Sequence, residues 1–242
     1  MKTIGILGGL GPEATVGYYK EIIKGVNEQR NDGSLNYPEM VIYSVNMARF
    51  IGLLESGRQE EAADYLAACI NKLGHAQVDF AAMSANTPHL LFENIQSKVT
   101  LPLVSIVEAC AQKAKATGVK RCGLIGTRFT MEAGFFSDTF KKYDLEVVVP
   151  KEAEQQLIHE KLFTELELGI FKEETKLKLL AVVQEMIARD DIDALILGCT
   201  EFPVIFTDDS YLGIPFLNTT KIHVDKLLAL CYNEDDSYFT KA

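Results

Sequence analysis

Two rhythms of apolar and polar residues alternate along this chain. Short, nearly continuous apolar runs at residues 3–7, 39–45, 78–83, 101–106, 121–125, 145–149, 193–198 and 214–217 each end in glycine or small polar residues. Runs of that length without internal alternation predict strands buried on both faces, as in parallel sheets. Between them the apolar residues recur at three and four. Val16, Tyr19, Ile22, Ile23 and Val26 mark one helical face; Ala62, Tyr65, Leu66, Cys69, Ile70 and Leu73 mark another that Gly74 stops. A charged helical region over 152–189, broken near Gly169, and a last helix over 221–232 complete the pattern. Strand and helix in regular alternation predict an α/β fold.

The pattern also repeats. Gly5-Ile-Leu-Gly8-Gly9 matches Gly123-Leu-Ile-Gly126-Thr127 at an offset of 118, Ala85 matches Cys199 at 114, and Pro102 matches Pro215 at 113. Two copies at so long a period predict two pseudosymmetric lobes, each a mostly parallel sheet flanked by helices. Chance likeness between βα units is the alternative. The expected boundaries are 1–104 plus 218–242 for the first lobe and 105–217 for the second, with the final helix packing on the first lobe. Ligands of open α/β sheets bind outside the carboxyl ends of the strands, so the active site is expected in the interlobe cleft, with Ala85 and Cys199 facing one another.

Composition narrows the partner. A formal net charge of −10 without any Lys/Arg cluster argues against nucleic acid or an anionic membrane. Five cysteines at 69, 110, 122, 199 and 231 have neither disulfide-framework nor metal-motif spacing. With a strand directly after Met1-Lys2-Thr3 and no apolar run long enough for a bilayer, they predict a cytoplasmic protein.

Candidate chemistry gathers after the strands. Gly8-Gly9-Leu10-Gly11 precedes a helix and can bring amides to an anion, although it is neither a P-loop nor a dinucleotide fingerprint. Arg49, in a loop past the second strand, is either a solvated charge or a carboxylate ligand. Asn86 and Thr87, before Pro88, are helix caps by default and ligand contacts by hypothesis; Thr127 and Thr130 carry the same two readings. His159 is read as a solvated residue of the charged helix. Cys199 follows Gly198 at a strand end and precedes Thr200-Glu201-Phe202-Pro203. As a catalytic group it needs its thiolate, which a helix start lowers from a pKa of about 8.5 and which Glu201 opposes unless it points away or orients a water. The alternative for Cys199 is a small buried hydrophobe.

Gly8-Gly9-Leu10-Gly11-Pro12-Glu13-Ala14-Thr15, Asn86-Thr87-Pro88-His89 and Gly198-Cys199-Thr200-Glu201 resemble the signature stretches of the aspartate/glutamate racemase family, along essentially the full chain. The resemblance implies a cofactor-independent amino-acid racemase, commonly dimeric, in which two cysteines serve as paired acid and base on a small dicarboxylic amino acid. Carried over, the second cysteine is Cys199. Gly9, Asn86, Thr87, Thr127, Thr130, Thr200 and Glu201 belong to substrate binding, and Arg49 matches an arginine for the side-chain carboxylate. The first cysteine falls at Ala85, which exchanges no proton. The expected enzyme is therefore weak, one-sided or inactivated, with water or Thr87 supplying the missing proton. Single-thiol decarboxylation and non-catalytic carboxylate binding are the alternatives. Ser84, one position off, points to the opposite face of an extended chain. Glu167 is the aligned position nearest to a basic residue that some relatives use for the substrate carboxylate, and Asn218 stands where relatives often have aspartate.

Overall fold

The computed structural model describes residues 1–30, 33 and 35–233. Of the expected first-lobe segment 218–242, residues 234–242 lie outside the described residues. The chain forms two compact units, Met1–Ile106 with the segment from His223, and Val107–Ile222.

The first unit contains β1 (Ile4–Gly8), α1 (Pro12–Arg30), β2 (Met40–Ser44), α2 (Met47–Glu55), α3 (Gln59–His75), β3 (Phe80–Met83), α4 (Phe92–Ser97) and β4 (Leu103–Val104). Helix α5 (Ile106–Thr117) leads into the second unit, with β5 (Arg121–Gly126), α6 (Arg128–Glu132), α7 (Phe135–Lys141), β6 (Glu146–Val148), α8 (Glu152–Thr164), α9 (Glu173–Asp190), β7 (Ala194–Gly198), α10 (Phe202–Ile205), β8 (Ser210–Tyr211) and β9 (Ile214–Asn218). Helix α11 (Thr219–Tyr232) returns the chain to the first unit.

Sheet order is β2-β1-β3-β4 in the first unit and β6-β5-β7-β9-β8 in the second, parallel except for the β8–β9 pair. Taken in chain order, the parallel strands of both units follow one plan: second, first, third, fourth. β8 is an addition that the apolar pattern did not predict, since two residues carry no periodicity. β1 and β7 are wholly buried, as their unbroken apolar runs require, whereas the edge strand β2 is half exposed. Because the strands are parallel, their carboxyl ends share one edge in each sheet. One edge carries Gly9, Asn46 and Ala85; the other carries Thr127 and Cys199.

Several local expectations shift. The face of α1 is Tyr18, Ile22 and Val26, while Val16 and Tyr19 are exposed. Tyr18 wins the inward position because its hydroxyl donates to Nδ1 of His223 on α11 at 2.8 Å, which satisfies a buried polar group. Gly25 completes the α1–α11 contact; a Cβ there would lie 2.6 Å from Leu228 Cδ1. Val224, Leu227 and Leu228 of α11 join Ile4, Ile6, Phe80 and Val104 in the core of the first unit. Helix α3 runs past Gly74 to His75. The fourth strand is shortened to Leu103–Val104, because α5 already starts at Ile106.

Two neutral imidazoles hold the strand ends of the first unit. His89 Nδ1–H donates to the Ala85 carbonyl at 3.0 Å, and its Nε2 accepts from the Ile106 amide at 3.2 Å. His223 Nε2–H donates to the Val104 carbonyl at 2.9 Å. Burial pushes His89 down to about 4 and His223 down to about 3.

Two expectations follow. In the unfolded chain both imidazoles take up protons near pH 6.5, whereas the folded state refuses them until pH 4 or below. Their contribution is therefore complete above pH 6.5 and is lost as the pH falls toward 4, on the order of 2–4 kcal/mol for each. Urea unfolding across pH 4–7 should show this slope, and His223→Gln should flatten it. Among the glycines, Gly9 has φ +76°, and a Cβ there would lie 2.5 Å from Ser44 Oγ and 2.6 Å from the Val45 carbonyl oxygen. Gly17 in α1 has nothing within 4 Å. Gly9→Ala should destabilise by about 1–3 kcal/mol, while Gly17→Ala should stabilise by up to about 1 kcal/mol; thermal melts of the two variants check the opposite signs.

Candidate active site

Strand β7 sets the position of Cys199. Leu195, Leu197 and Cys199 stand two apart and share the core of the second unit with Leu179, Val183 and Phe202. The close approach of β7 to β5 depends on Gly198, where a Cβ would lie 2.8 Å from the Ile125 carbonyl oxygen and 3.0 Å from Thr130 Cγ2. Cys199 is 7% exposed.

Its surroundings are acidic. Cys199 Sγ–H donates to Glu201 Oε2 at 2.9 Å, and Thr200 Oγ1 donates to both oxygens of the same carboxylate at 3.0 and 2.9 Å. Glu167 joins them from the 3₁₀ turn Leu166–Leu168 between α8 and α9, so that one ligand atom from each of Glu167, Cys199 and Glu201 lies within 4.8 Å of the others. That spacing could also hold a metal ion. Burial first, and the Glu201 carboxylate second, push the Cys199 thiol well above its ordinary value. Burial and the charge of Glu201 push Glu167 up to about 7.

Of the two influences expected on the Cys199 thiol, the opposition of Glu201 prevails over the helix start. α10 has only four residues, and Glu201 points at the sulfur instead of away from it, so desolvation and like charge both favour S–H.

The other candidates are distributed as follows. Thr127 caps α6, accepting from the Thr130 amide at 3.3 Å, and the two hydroxyls lie 3.1 Å apart. Thr130 is 1% exposed and packs under Gly126 and Gly198. The stretch after Gly126 is thus already helical from Arg128. The Gly9 amide is spent on Thr15 Oγ1 at 2.8 Å, and Thr15 Oγ1 donates on to the Gly11 carbonyl at 3.2 Å. The loop closes on its own helix. Ala85 and Asn86 are buried and Thr87 half-buried; Thr87–Leu91 is a 3₁₀ turn that the Asn86 side chain does not cap. Ser84 Oγ is buried, donates to the Leu7 carbonyl at 3.3 Å and lies 3.3 Å from Thr15 Oγ1.

Arg49 is not in a loop. Asn46 caps α2, so Arg49 lies in its first turn, with its guanidinium 4.3 Å from the Tyr65 ring centroid. It lines an open pocket of about 820 Å³ with Tyr43, Cys69 and Lys72, whose lining residues do not include Ala85, Asn86 or Thr87. His159 is half-buried against Phe163, not solvated. Asn218 Oδ1 accepts from the Lys221 amide at 3.1 Å and so anchors the start of α11.

The sequence pattern passed over the joint action of Glu167 and Glu201 on the thiol. The spacing Cys199-x-Glu201 was a local signal for one of them. Nothing local links Glu167, thirty-two residues earlier, to the same atom. Among the described residues, no helix is long and apolar enough to cross a membrane.

A family model described as Asp/Glu/hydantoin racemase matches residues 7–227. The broad specificity amino-acid racemase RacX of Bacillus subtilis is 25% identical over 219 residues, covering 90% of this chain and 92% of that protein. The crystal structure of an aspartate racemase homologue from Pyrococcus horikoshii superposes with a TM-score of 0.82 at 34% identity, covering 96% of this chain and 100% of that one. Picrophilus torridus aspartate racemase shares the fold, with a TM-score of 0.73 at 21% identity over 99% and 98% of the two chains. With a buried thiol at a strand end and a family match over nearly its whole length, this chain belongs to the Asp/Glu/hydantoin racemase family.

Proposed function

We propose that this protein is a cofactor-independent amino-acid racemase whose working acid and base is Cys199, with Glu201 as the group that exchanges the thiol's proton. Family membership supports amino-acid racemase activity in general. The observation that carries the finer reading is the 2.9 Å contact from Cys199 Sγ to Glu201 Oε2. In the resting protein the sulfur holds its proton. For abstraction, that proton passes to the Glu201 carboxylate, and the resulting thiolate takes the α-hydrogen of the substrate. The carbanion is stabilised by the adjacent α-carboxylate and α-ammonium. Returned from Cys199, the proton restores the original configuration; inversion needs a donor on the other face. In this reading the position for that donor is Ala85, so α-hydrogen exchange outruns inversion, and water or Thr87 supplies the second proton.

Ala85 also favours a second reading. Decarboxylation leaves a carbanion that one thiol alone protonates, and it is recognised by loss of CO₂ in place of α-hydrogen exchange.

Exchange of the α-hydrogen in D₂O, followed by NMR, tests the proposal. Cys199→Ser should lower the exchange rate by about 10²–10⁴-fold, and unchanged exchange sinks the reading. Ala85→Cys should raise inversion at least about tenfold while exchange changes less; an unaltered inversion rate refutes the role given to position 85. The thiol itself is followed by thiolate absorbance near 240 nm, taken as the difference between wild type and Cys199→Ser. Because burial and Glu201 hold the proton on sulfur, the wild-type midpoint should lie above the ordinary 8.5 or so of a free cysteine. Glu201→Gln removes the like charge, so its midpoint should move down while exchange slows.

A further inference from the structure

The turn that carries Glu167 is held from below, independently of Glu167 itself. Glu165 Oε1 accepts from Lys161 Nζ at 2.8 Å, its other oxygen accepts from Thr175 Oγ1, and Lys172 Nζ stands 3.5 Å away. The Glu165 carbonyl accepts the amides of Leu168 at 3.0 Å and Ile170 at 2.9 Å. This corner between α8 and α9 fixes the backbone on which the half-buried Glu167 side chain reaches toward Cys199 and Glu201. The lysines of the corner are engaged by Glu165. Among the described residues, neither Glu167 nor Glu201 forms an ion pair with a lysine, arginine or histidine.

For proton transfer, a substrate α-carbon must come within about 3–3.5 Å of Sγ. A Glu167 oxygen lies within 4.8 Å of that sulfur, so it falls within one side-chain length of the α-carbon. A side chain ending in a carboxylate would bring a further negative group to a pair of carboxyl groups without cationic partners, of which Glu167 is already pushed up to about 7 by burial and Glu201, in a protein whose net charge opposes it as well. A side chain ending in N–H donors would meet an acceptor already in place, and a cationic one would gain charge-assisted hydrogen bonds.

We propose that Glu167 is a specificity-determining residue of the Cys199 site. It selects amino acids whose side chain ends in a hydrogen-bond donor, ammonium and guanidinium above all, over those that end in a carboxylate. This rests on the racemase reading above and replaces the dicarboxylic substrate expected from the sequence.

The test measures α-hydrogen exchange in D₂O for L-lysine, L-arginine, L-glutamate and L-aspartate with wild type, Glu167→Gln and Glu167→Lys. Wild type should favour the basic pair over the acidic pair in kcat/KM by at least about tenfold. Glu167→Gln should bring that ratio toward one, and Glu167→Lys should reverse it. A change in ratio is not what a merely loosened fold produces. If wild type prefers glutamate or aspartate, the proposal fails and the racemase reading survives. It fails too if each variant alters all four rates by the same factor, which would put Glu167 on the α-ammonium common to every substrate. If no amino acid exchanges, the racemase reading fails on its own, and calorimetric binding of the same four acids decides. Binding of lysine or arginine that is tighter than that of glutamate and weakened by Glu167→Gln upholds the selection; equal binding, or none, overturns it.

Discussion

A buried thiol pressed against a carboxylate is the constraint on which the rest of this structure turns. Taking sulfur and carboxylate out of water makes their two negative forms hard to hold together, so the proton stays on Cys199 while Glu201 accepts its hydrogen bond. The pair is possible only because the backbone brings it there. β7 enters the sheet beside β5 through Gly126 and Gly198, which register against each other, and a side chain on Gly198 would collide with the neighbouring strand. Thr200, immediately after the cysteine, spends its hydroxyl on Glu201 and so holds the carboxylate at the sulfur.

The two units share a strand order but invest their strand ends differently. In the second unit the edge after β7 concentrates three groups that can carry a proton: Glu167, Cys199 and Glu201. In the first unit the corresponding edge ends in the methyl of Ala85. Its polar groups serve as struts: His89 holds the Ala85 carbonyl and the Ile106 amide, His223 holds the Val104 carbonyl, and Tyr18 closes the chain of bonds. Burial keeps both imidazoles neutral, which lets each ring donate at one nitrogen and accept at the other. The same folding plan thus yields one edge where three proton-carrying groups gather and one whose imidazoles are spent on backbone hydrogen bonds.

Charge decides a further difference. At the α8–α9 corner Lys161 and Lys172 both reach Glu165, whose carboxyl is held down to about 2, chiefly by Lys161 and Thr175. Glu167, two residues on, is left with the thiol and another carboxylate. Two acidic residues separated only by Leu166 therefore do opposite work, one as the anchor of the corner and the other as part of the acidic wall beside the sulfur.

The order of apolar runs determined the α/β class, nearly all the strands and the position of Cys199 after β7, because side-chain alternation along a strand and the spacing of a helix face are local properties. Even so, local spacing turned α1 to the wrong face, preferring Tyr19 to Tyr18, and placed Arg49 in a loop where Asn46 starts a helix. For Tyr18 the deciding partner, His223, lies outside the window that periodicity can read, whereas the Asn46 cap that makes Arg49 helical is a local signal that the apolar pattern does not carry. Only the tertiary structure decided the state of the thiol. Whether sulfur keeps its proton depends on which charges stand within a few ångströms of it, and the sequence records neither the approach of Glu167 nor the direction in which Glu201 points.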